Sequence, residues 1–262
     1  LFDPKPIGIF DSGLGGLAVL KEIRQQLPDE DLIFFADQGR LPYGPRPTSE
    51  IRLFAEQITR FLLARNVKAI VVACNTASAA ALAHLRKTFP DIPFVGMEPA
   101  VKPAAEQTQN RVVGVIATQS TCQSEIFESV VERFAKNVRV LSRACPGLVT
   151  QVEAGEFESA ATFQLLHEYL DPMLAEGIDS LVLACTHFTF LTPAIQQVAS
   201  GVRIIDPAPA VARQVGRVVG HHGPNPSAAI EAYTTGIKNP DRLAIRLLHQ
   251  PIEFNIISEN DL

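Results

Sequence analysis

The chain spells one pattern twice, and that repetition limits its fold more than any other feature. An apolar run ends in "VVACNTAS" at residues 71–78, and another ends in "LVLACTHF" at residues 181–188, each closing on Ala-Cys before an amide or hydroxyl side chain. Other landmarks keep the same order and nearly the same offset. The first apolar run of each half begins at Ile7 and Val112, 105 residues apart; Cys74 and Cys185 are 111 apart; the acidic-Pro-Ala sequences at Glu98 and Asp206 are 108 apart. Between these landmarks, short apolar runs of strand length alternate with stretches at helical spacing, a pattern that predicts parallel strands in an α/β fold.

In the first half, "PIGIFDSGLGGLAVLKEIRQQLP" predicts a strand, a glycine turn and a helix with Leu17, Leu20, Ile23 and Leu27 on one face. "DLIFFAD" is a second strand, followed by the Pro/Gly loop "GRLPYGPRPTSE" and a helix capped near Thr48 or Ser49. The strand "KAIVVAC", an alanine-rich helix and the strand "IPFVGME" complete the half. In the second, "RVVGVIATQSTCQSEIFESVVERF" restarts the pattern, "NVRVLSRAC" is a strand and "PGLVTQVEAGEF" reads as a polar loop. A helix around "ATFQLLHEYLDPMLAEG" and the strands "DSLVLAC" and "VRIIDPAPA" follow. A last helix, "AVARQVGRVV", the loop "HHGPNPSAA" with His221 and His222, and the strands "IEAYTTGI" and "IEFNII" have no counterpart in the first half and are expected to return to it. The predicted fold is α/β: two pseudo-symmetric lobes, each a mainly parallel sheet flanked by helices, with the active site in the cleft between them. The N-terminal lobe comprises residues 1–98 plus 208–262, and the second lobe residues 99–207.

Composition narrows the function. With 262 residues, 47% of them hydrophobic and 19% charged, the chain belongs among globular proteins and is long enough for about two domains. The net charge of −5, without a Lys/Arg cluster, removes the attraction that drives nucleic-acid binding and predicts a small-molecule partner. No apolar run approaches the roughly 18 residues of a membrane span, and the opening "LFDPKPIGIF" lacks the pattern of a signal peptide, which predicts no membrane partner and a cytoplasmic protein. Cys74, Cys122, Cys145 and Cys185 form no CxxC pair, as expected of free thiols in a reducing compartment. Neither a metal site nor a nucleotide cofactor is expected, since Cys185 and His187 lack further ligands and "DSGLGG" is not a phosphate-binding motif.

Ligands of parallel sheets bind at the carboxyl ends of strands. Those ends carry Asp11 and Ser12, Tyr43 and Gly44, then Cys74, Asn75 and Thr76 in the first half, and Thr118, Thr121, Glu153, Cys185, Thr186 and His187 in the second. If the halves face each other, two thiols confront one another, the arrangement required to take a proton from one face of a carbon and return one to the other. Helix N-termini after both cysteines are expected to favour thiolates, with Asp11, Glu153 and His187 as proton-handling partners. Neutral donors at Ser12, Asn75, Thr76 and Thr186 suit a carboxylate. Cys122, at the start of a predicted helix, and Cys145, before Pro146, have no twin and are expected to be structural.

The motifs "IGIFDSGLGGL", "ADQGRLPYG", "VVACNTASA", "IATQSTCQS", "VEAG", "ACTHF", "IDPAPAVA" and "AYTTG" together resemble the glutamate racemases of the aspartate/glutamate racemase superfamily over nearly the whole chain. The resemblance implies cofactor-independent interconversion of L- and D-glutamate, the latter for peptidoglycan, in a protein that is commonly a homodimer. It implies Cys74 and Cys185 as acid/base thiols assisted by Asp11, Glu153 and His187. It also implies a pocket lined by Ser12, Tyr43, Gly44, Asn75, Thr76, Thr118, Thr121 and Thr186. The chain departs from the family's usual "GCTHYP" at Ala184, Phe188 and Thr189, and "PGLVTQVEAG" departs from its usual wording before the acid. The alternatives are an aspartate racemase or related enzyme of the superfamily, and a non-catalytic amino-acid-binding protein; a second thiol argues against a decarboxylase, which needs one.

Overall fold

The first strand, β1 (Ile7–Asp11), is wholly buried, as a continuous apolar run in a sheet covered on both faces must be. The computed structural model describes residues 4–220, 223–236, 240–248 and 251–262. His221 and His222 therefore lie outside the described residues. The chain divides into two compact units: one is the segment up to Met97 together with the segment from Ala208 on, and the other is Glu98–Pro207.

In the first unit β1 is followed by α1 (Leu17–Gln26), β2 (Leu32–Ala36), α2 (Thr48–Leu63), β3 (Ala69–Val72), α3 (Asn75–Thr88) and β4 (Phe94–Gly96). The buried face of α1 carries Leu17, Leu20 and Ile23, whereas Leu27 is the residue that caps its C-terminus before Pro28. The cap expected at Thr48 or Ser49 is absent. Pro47 takes the N-cap position with no side-chain bond, because its fixed φ of −64° already presets the entry and Thr48 is the first helical residue.

The second unit runs α4 (Val101–Gln107), β5 (Val112–Ala117), α5 (Gln119–Cys122), α6 (Glu125–Phe134), β6 (Arg139–Ala144), α7 (Leu148–Glu153), α8 (Ala160–Ala175), β7 (Ser180–Ala184), α9 (Thr192–Val198) and β8 (Arg203–Ile205). Two of its helices differ from expectation. Cys122 ends α5 instead of beginning a helix. The expected polar loop after Cys145 contains α7, which buries Leu148 and Val152 and is closed at Gly155, where φ is +76°. Its apolar residues are Leu148, Val149 and Val152 and its polar ones Thr150, Gln151 and Glu153, a stretch too short for a periodicity test. Helix α4, at the start of the second unit, is a further element that the alternating pattern does not predict.

The chain then returns to the first unit with α10 (Ala208–Val219), β9 (Ile230–Thr234), α11 (Asp241–Leu248) and β10 (Phe254–Ile256). Both α10 and α11 pack on α1.

The six-stranded sheet has the order β10-β9-β2-β1-β3-β4 and the four-stranded sheet the order β6-β5-β7-β8, with parallel pairing at every neighbour. Replacing β1 to β4 by β5 to β8 converts the order 2-1-3-4 into 6-5-7-8. The duplication read from the sequence is thus a duplication of topology, with β9 and β10 added beyond β2. Each unit has its own core: Phe10, Phe35, Ile58, Leu62, Ile70 and Leu85 in the first, Val101, Val113, Val115, Phe127 and Val182 in the second. Fully burying such a side chain contributes about 1.5–3 kcal/mol. The edge strand β6 is guarded by Arg139, Ser142 and Arg143, which are exposed and discourage further strand pairing. Among the described residues no helix is long and apolar enough to cross a membrane.

Candidate active site

In the first unit the chain leaves β1 first for β2 on one side and then for β3 on the other. The crevice beyond the carboxyl end of such a strand is where open parallel sheets take ligands. Asp11, the last residue of β1, is fully buried, and its Oδ2 accepts a hydrogen bond of 2.9 Å from the Gly13 N–H. Gly16 lets the start of α1 press against it, for a Cβ at that position would lie 2.6 Å from the Asp11 Cβ. Gly16→Ala is therefore expected to destabilise the protein by about 1–3 kcal/mol in a denaturant titration. Gly223→Ala, whose added Cβ meets nothing within 4 Å, is expected to leave stability unchanged.

Cys74 caps the N-terminus of α3. Its Sγ accepts a hydrogen bond of 3.4 Å from the Ala77 N–H and lies 3.5 Å from Ser12 Oγ, to which the thiol can donate. A sulfur held at the head of a 14-residue helix sits where the backbone dipole favours negative charge. The next residue, Asn75, is 3% exposed, and neither its Nδ2 nor its Oδ1 has a partner among the described residues. Such a group costs about 1–3 kcal/mol unless a ligand completes it. Thr76 is buried beside it.

Tyr43 is buried, and its hydroxyl donates to Asp37 Oδ2. Burial, with the negative charge of Asp37 and the proximity of Cys74, raises its phenol well above the ordinary range. Gly44 follows it, half-buried.

In the second unit β5 lies between β6 and β7 and repeats the switch. Thr118 caps α5, receiving the Thr121 N–H at 3.3 Å, and the two threonine hydroxyls are 3.0 Å apart. Cys185 follows β7 and is 5% exposed. Here the expected helix is a 3-10 turn, Thr186–Leu191, with α9 starting only at Thr192, and Cys185 accepts no capping bond from it. The helix dipole that serves Cys74 is not matched at Cys185. A charged side chain takes its place: His187, 2% exposed, sets Nδ1 4.0 Å from the Cys185 Sγ and Nε2 2.6 Å from Glu153 Oε1. Burial opposes its charge, but the hydrogen bonds to Cys185 and Glu153 and the Glu153 carboxylate outweigh that and raise its pKa well above the usual histidine range. Glu153 ends α7, so the helix hidden in the apparent loop is what brings the acid to the imidazole.

The structure thus joins Ser12 to Cys74, Glu153 to His187 to Cys185, and Thr118 to Thr121 within their units. The remaining thiols serve differently. Burial, reinforced by Cys122 and Cys185, pushes the Cys145 thiol far up, and burial also raises that of Cys122, so both stay protonated. Sequence reading assigned no role to Asp37, Arg40 or Thr235. Yet Asp37 is fully buried and pairs with Arg40 at 2.9 Å, and Thr235 donates to it at 2.8 Å. The signal was present in "ADQGR": two opposite charges three residues apart, directly after a buried strand. Among the described residues no group of three or more His, Cys, Asp or Glu side chains is placed to hold a metal ion.

Buried acid-base side chains at the carboxyl ends of duplicated parallel strands define the class, an α/β enzyme of proton-transfer chemistry. The Asp/Glu/hydantoin racemase family matches residues 7–215, and the chain belongs to that family. It is 50% identical over 235 residues to the glutamate racemase of Ectopseudomonas mendocina, covering 88% of this chain and 89% of the relative. It is 48% identical over 252 residues to that of Roseiflexus sp., covering 94% and 92%. Among solved structures, the glutamate racemase of Francisella tularensis in complex with D-glutamate superposes with a TM-score of 0.84 at 30% identity, covering 97% of this chain and 98% of that one. The Escherichia coli glutamate racemase in complex with L-glutamate and the activator UDP-MurNAc-Ala gives 0.84 at 33% identity, covering 96% and 97%.

Proposed function

We propose that this chain interconverts L- and D-glutamate without a cofactor, using Cys74 and Cys185 as the two bases. One observation carries the reading: β3 and β7, equivalent strands in the four-strand order that the two units share, are each followed within two residues by a buried cysteine, and relatives at about half identity are glutamate racemases. In each turnover one cysteine, as thiolate, takes the α-proton, so that the C–H bond breaks and an S–H bond forms. The electron pair left on the α-carbon takes a proton from the other thiol on the opposite face, and that thiol becomes the thiolate. The enantiomer has formed and the two sulfurs have exchanged roles, with atoms and charge balanced.

The neighbours divide the work. Asn75, with both amide atoms buried and unpartnered, suits the substrate's polar groups, and Ser12, Tyr43, Gly44, Thr76, Thr118, Thr121 and Thr186 are the further substrate-binding residues of this reading. His187, held charged by Glu153, favours negative charge on the Cys185 sulfur, while the α3 N-terminus does so for Cys74. Asp11 handles protons on the Cys74 side. In this reading the protein is a cytoplasmic homodimer, and its product is D-glutamate for peptidoglycan.

The test is circular dichroism of each enantiomer with purified protein and no added cofactor, in deuterium oxide. The signal of L- and of D-glutamate should decay to zero while deuterium enters the α-position. A flat trace with glutamate and a decaying one with aspartate would transfer the assignment to an aspartate racemase. Stoichiometric binding with no decay for either would leave an amino-acid-binding protein.

A further inference from the structure

The turn between β2 and Tyr43, in which Asp37 and Arg40 are buried, is held by residues nearly two hundred positions away. Asp37 divides its carboxylate: Oδ2 accepts the Tyr43 hydroxyl, while Oδ1 accepts Arg40 Nε at 2.9 Å and Thr235 Oγ1 at 2.8 Å. The Thr235 hydroxyl is used twice, for the Gly39 N–H donates to it at 2.9 Å. Its backbone N–H donates to the Ala36 carbonyl at 3.2 Å, and the Thr234 hydroxyl donates to Gln38 Oε1 at 2.9 Å. Arg40 is fixed from a further side by Gln57, 2.7 Å from its Nη1. Every residue of the 3-10 turn Gln38–Arg40 therefore has a tether, and two of the three tethers come from the end of β9.

We propose that Thr235 is a positioning residue for the substrate pocket, acting through Asp37 and the Gln38–Arg40 turn to fix the place of Tyr43. The proposal rests on the reading of Tyr43 as a pocket residue. Its chemistry is specific to a hydroxyl. A side chain that both donates to Asp37 and accepts from Gly39 locks the carboxylate to the turn, whereas an isosteric valine fills the space, strands the Gly39 N–H and leaves Oδ1 one donor short. Tyr43 then follows a carboxylate whose Oδ1 is held by Arg40 alone and no longer tied to β9. A purely structural Thr235 would lower thermal stability and leave substrate affinity alone; a positioning Thr235 changes KM.

The experiment compares Thr235→Val, Thr235→Ser and Tyr43→Phe, singly and with Thr235→Val and Tyr43→Phe combined. Thr235→Val should raise KM for both glutamate enantiomers about tenfold, the equivalent of one lost buried hydrogen bond, with a smaller change in kcat. Thr235→Ser should restore KM, and Thr235→Val should add nothing in the Tyr43→Phe background. An unchanged KM, a serine variant as impaired as the valine, or full additivity would overturn the proposal. Hydrogen-deuterium exchange of the peptide over residues 38–44 provides a readout that needs no activity: it should quicken in Thr235→Val and return to normal in Thr235→Ser. Unchanged exchange would overturn the proposal even if the wild type were found not to racemise glutamate, a result that would instead remove the functional reading alone. Should the valine variant not fold, Thr235→Ala removes the hydroxyl without adding an apolar branch, and the same exchange and KM criteria apply.

Discussion

Cys74→Ser and Cys185→Ser should each cut kcat/KM for glutamate racemisation by about 10³-fold or more while the far-ultraviolet spectrum stays native, because a hydroxyl cannot replace a thiol as a base near neutral pH. Both directions must fall together. The enantiomers have equal free energy, so the ratio of forward to reverse kcat/KM stays at unity whichever base is damaged, and a variant disabled in one direction only is thermodynamically excluded. What can differ between the directions is kcat, with KM changing in proportion. Polarimetric progress curves started from each enantiomer measure these quantities, and either serine variant retaining near-normal turnover would refute the two-thiol assignment. Cys145→Ser serves as the internal comparison: its thiol is buried, kept protonated and bonded to the Arg143 carbonyl at 3.5 Å, so racemisation should persist.

The second large effect concerns pH and belongs to the Cys185 side. His187 has its folded pKa raised, so the charge it carries contributes stability in full below its unfolded value of about 6.5, and that contribution is lost as pH rises through the folded value. Activity that relies on the imidazolium should show an alkaline limb in the same region. Glu153→Gln removes the carboxylate 2.6 Å from Nε2, so the folded pKa of His187 falls and the alkaline limb of kcat/KM moves to lower pH. His187→Asn should abolish that limb and lower kcat/KM by about 10²-fold at neutral pH. A pH-rate profile of the three proteins decides the matter. An alkaline limb unmoved by Glu153→Gln would mean that His187 is not the group that titrates.

Much of this was legible because it depends on local chemistry. Strands buried on both faces declare themselves as apolar runs, so β1, β3, β5 and β7 were located by composition, and the residues just past them were bound to lie at strand ends. Duplicated topology was legible from spacing alone. The unequal treatment of the thiols was only half legible. His187 near Cys185 is visible in "CTH", but a 3-10 turn in place of a helix depends on how residues 186–191 pack against α7 and α9, which no propensity reports. Helix α7 was hidden for a related reason: it is only six residues long, with Leu148 and Val152 one turn apart, and only burial of that face makes the turn helical. Asn75 looked like one donor among several. That both of its amide atoms are buried and unpartnered is a statement about surrounding space, which sequence does not contain.

The pairing of β9 with β2 gives the polypeptide a timetable. Leu32–Ala36 lie in register with Ile230–Thr234, while everything the second unit needs is contiguous between Glu98 and Pro207. On a ribosome the inserted unit is therefore complete before the unit that encloses it in sequence. Until the last strands emerge, β2 keeps one hydrogen-bonding edge bare, and contacts of such long sequence separation form late and slowly. Asp37 and Thr235, 198 residues apart, meet only once β9 has joined β2, so the newborn chain acquires the support of Tyr43 after the inserted unit is complete. Synthesis order thereby delays the anchoring of the Gln38–Arg40 turn until the chain has been made past Thr235.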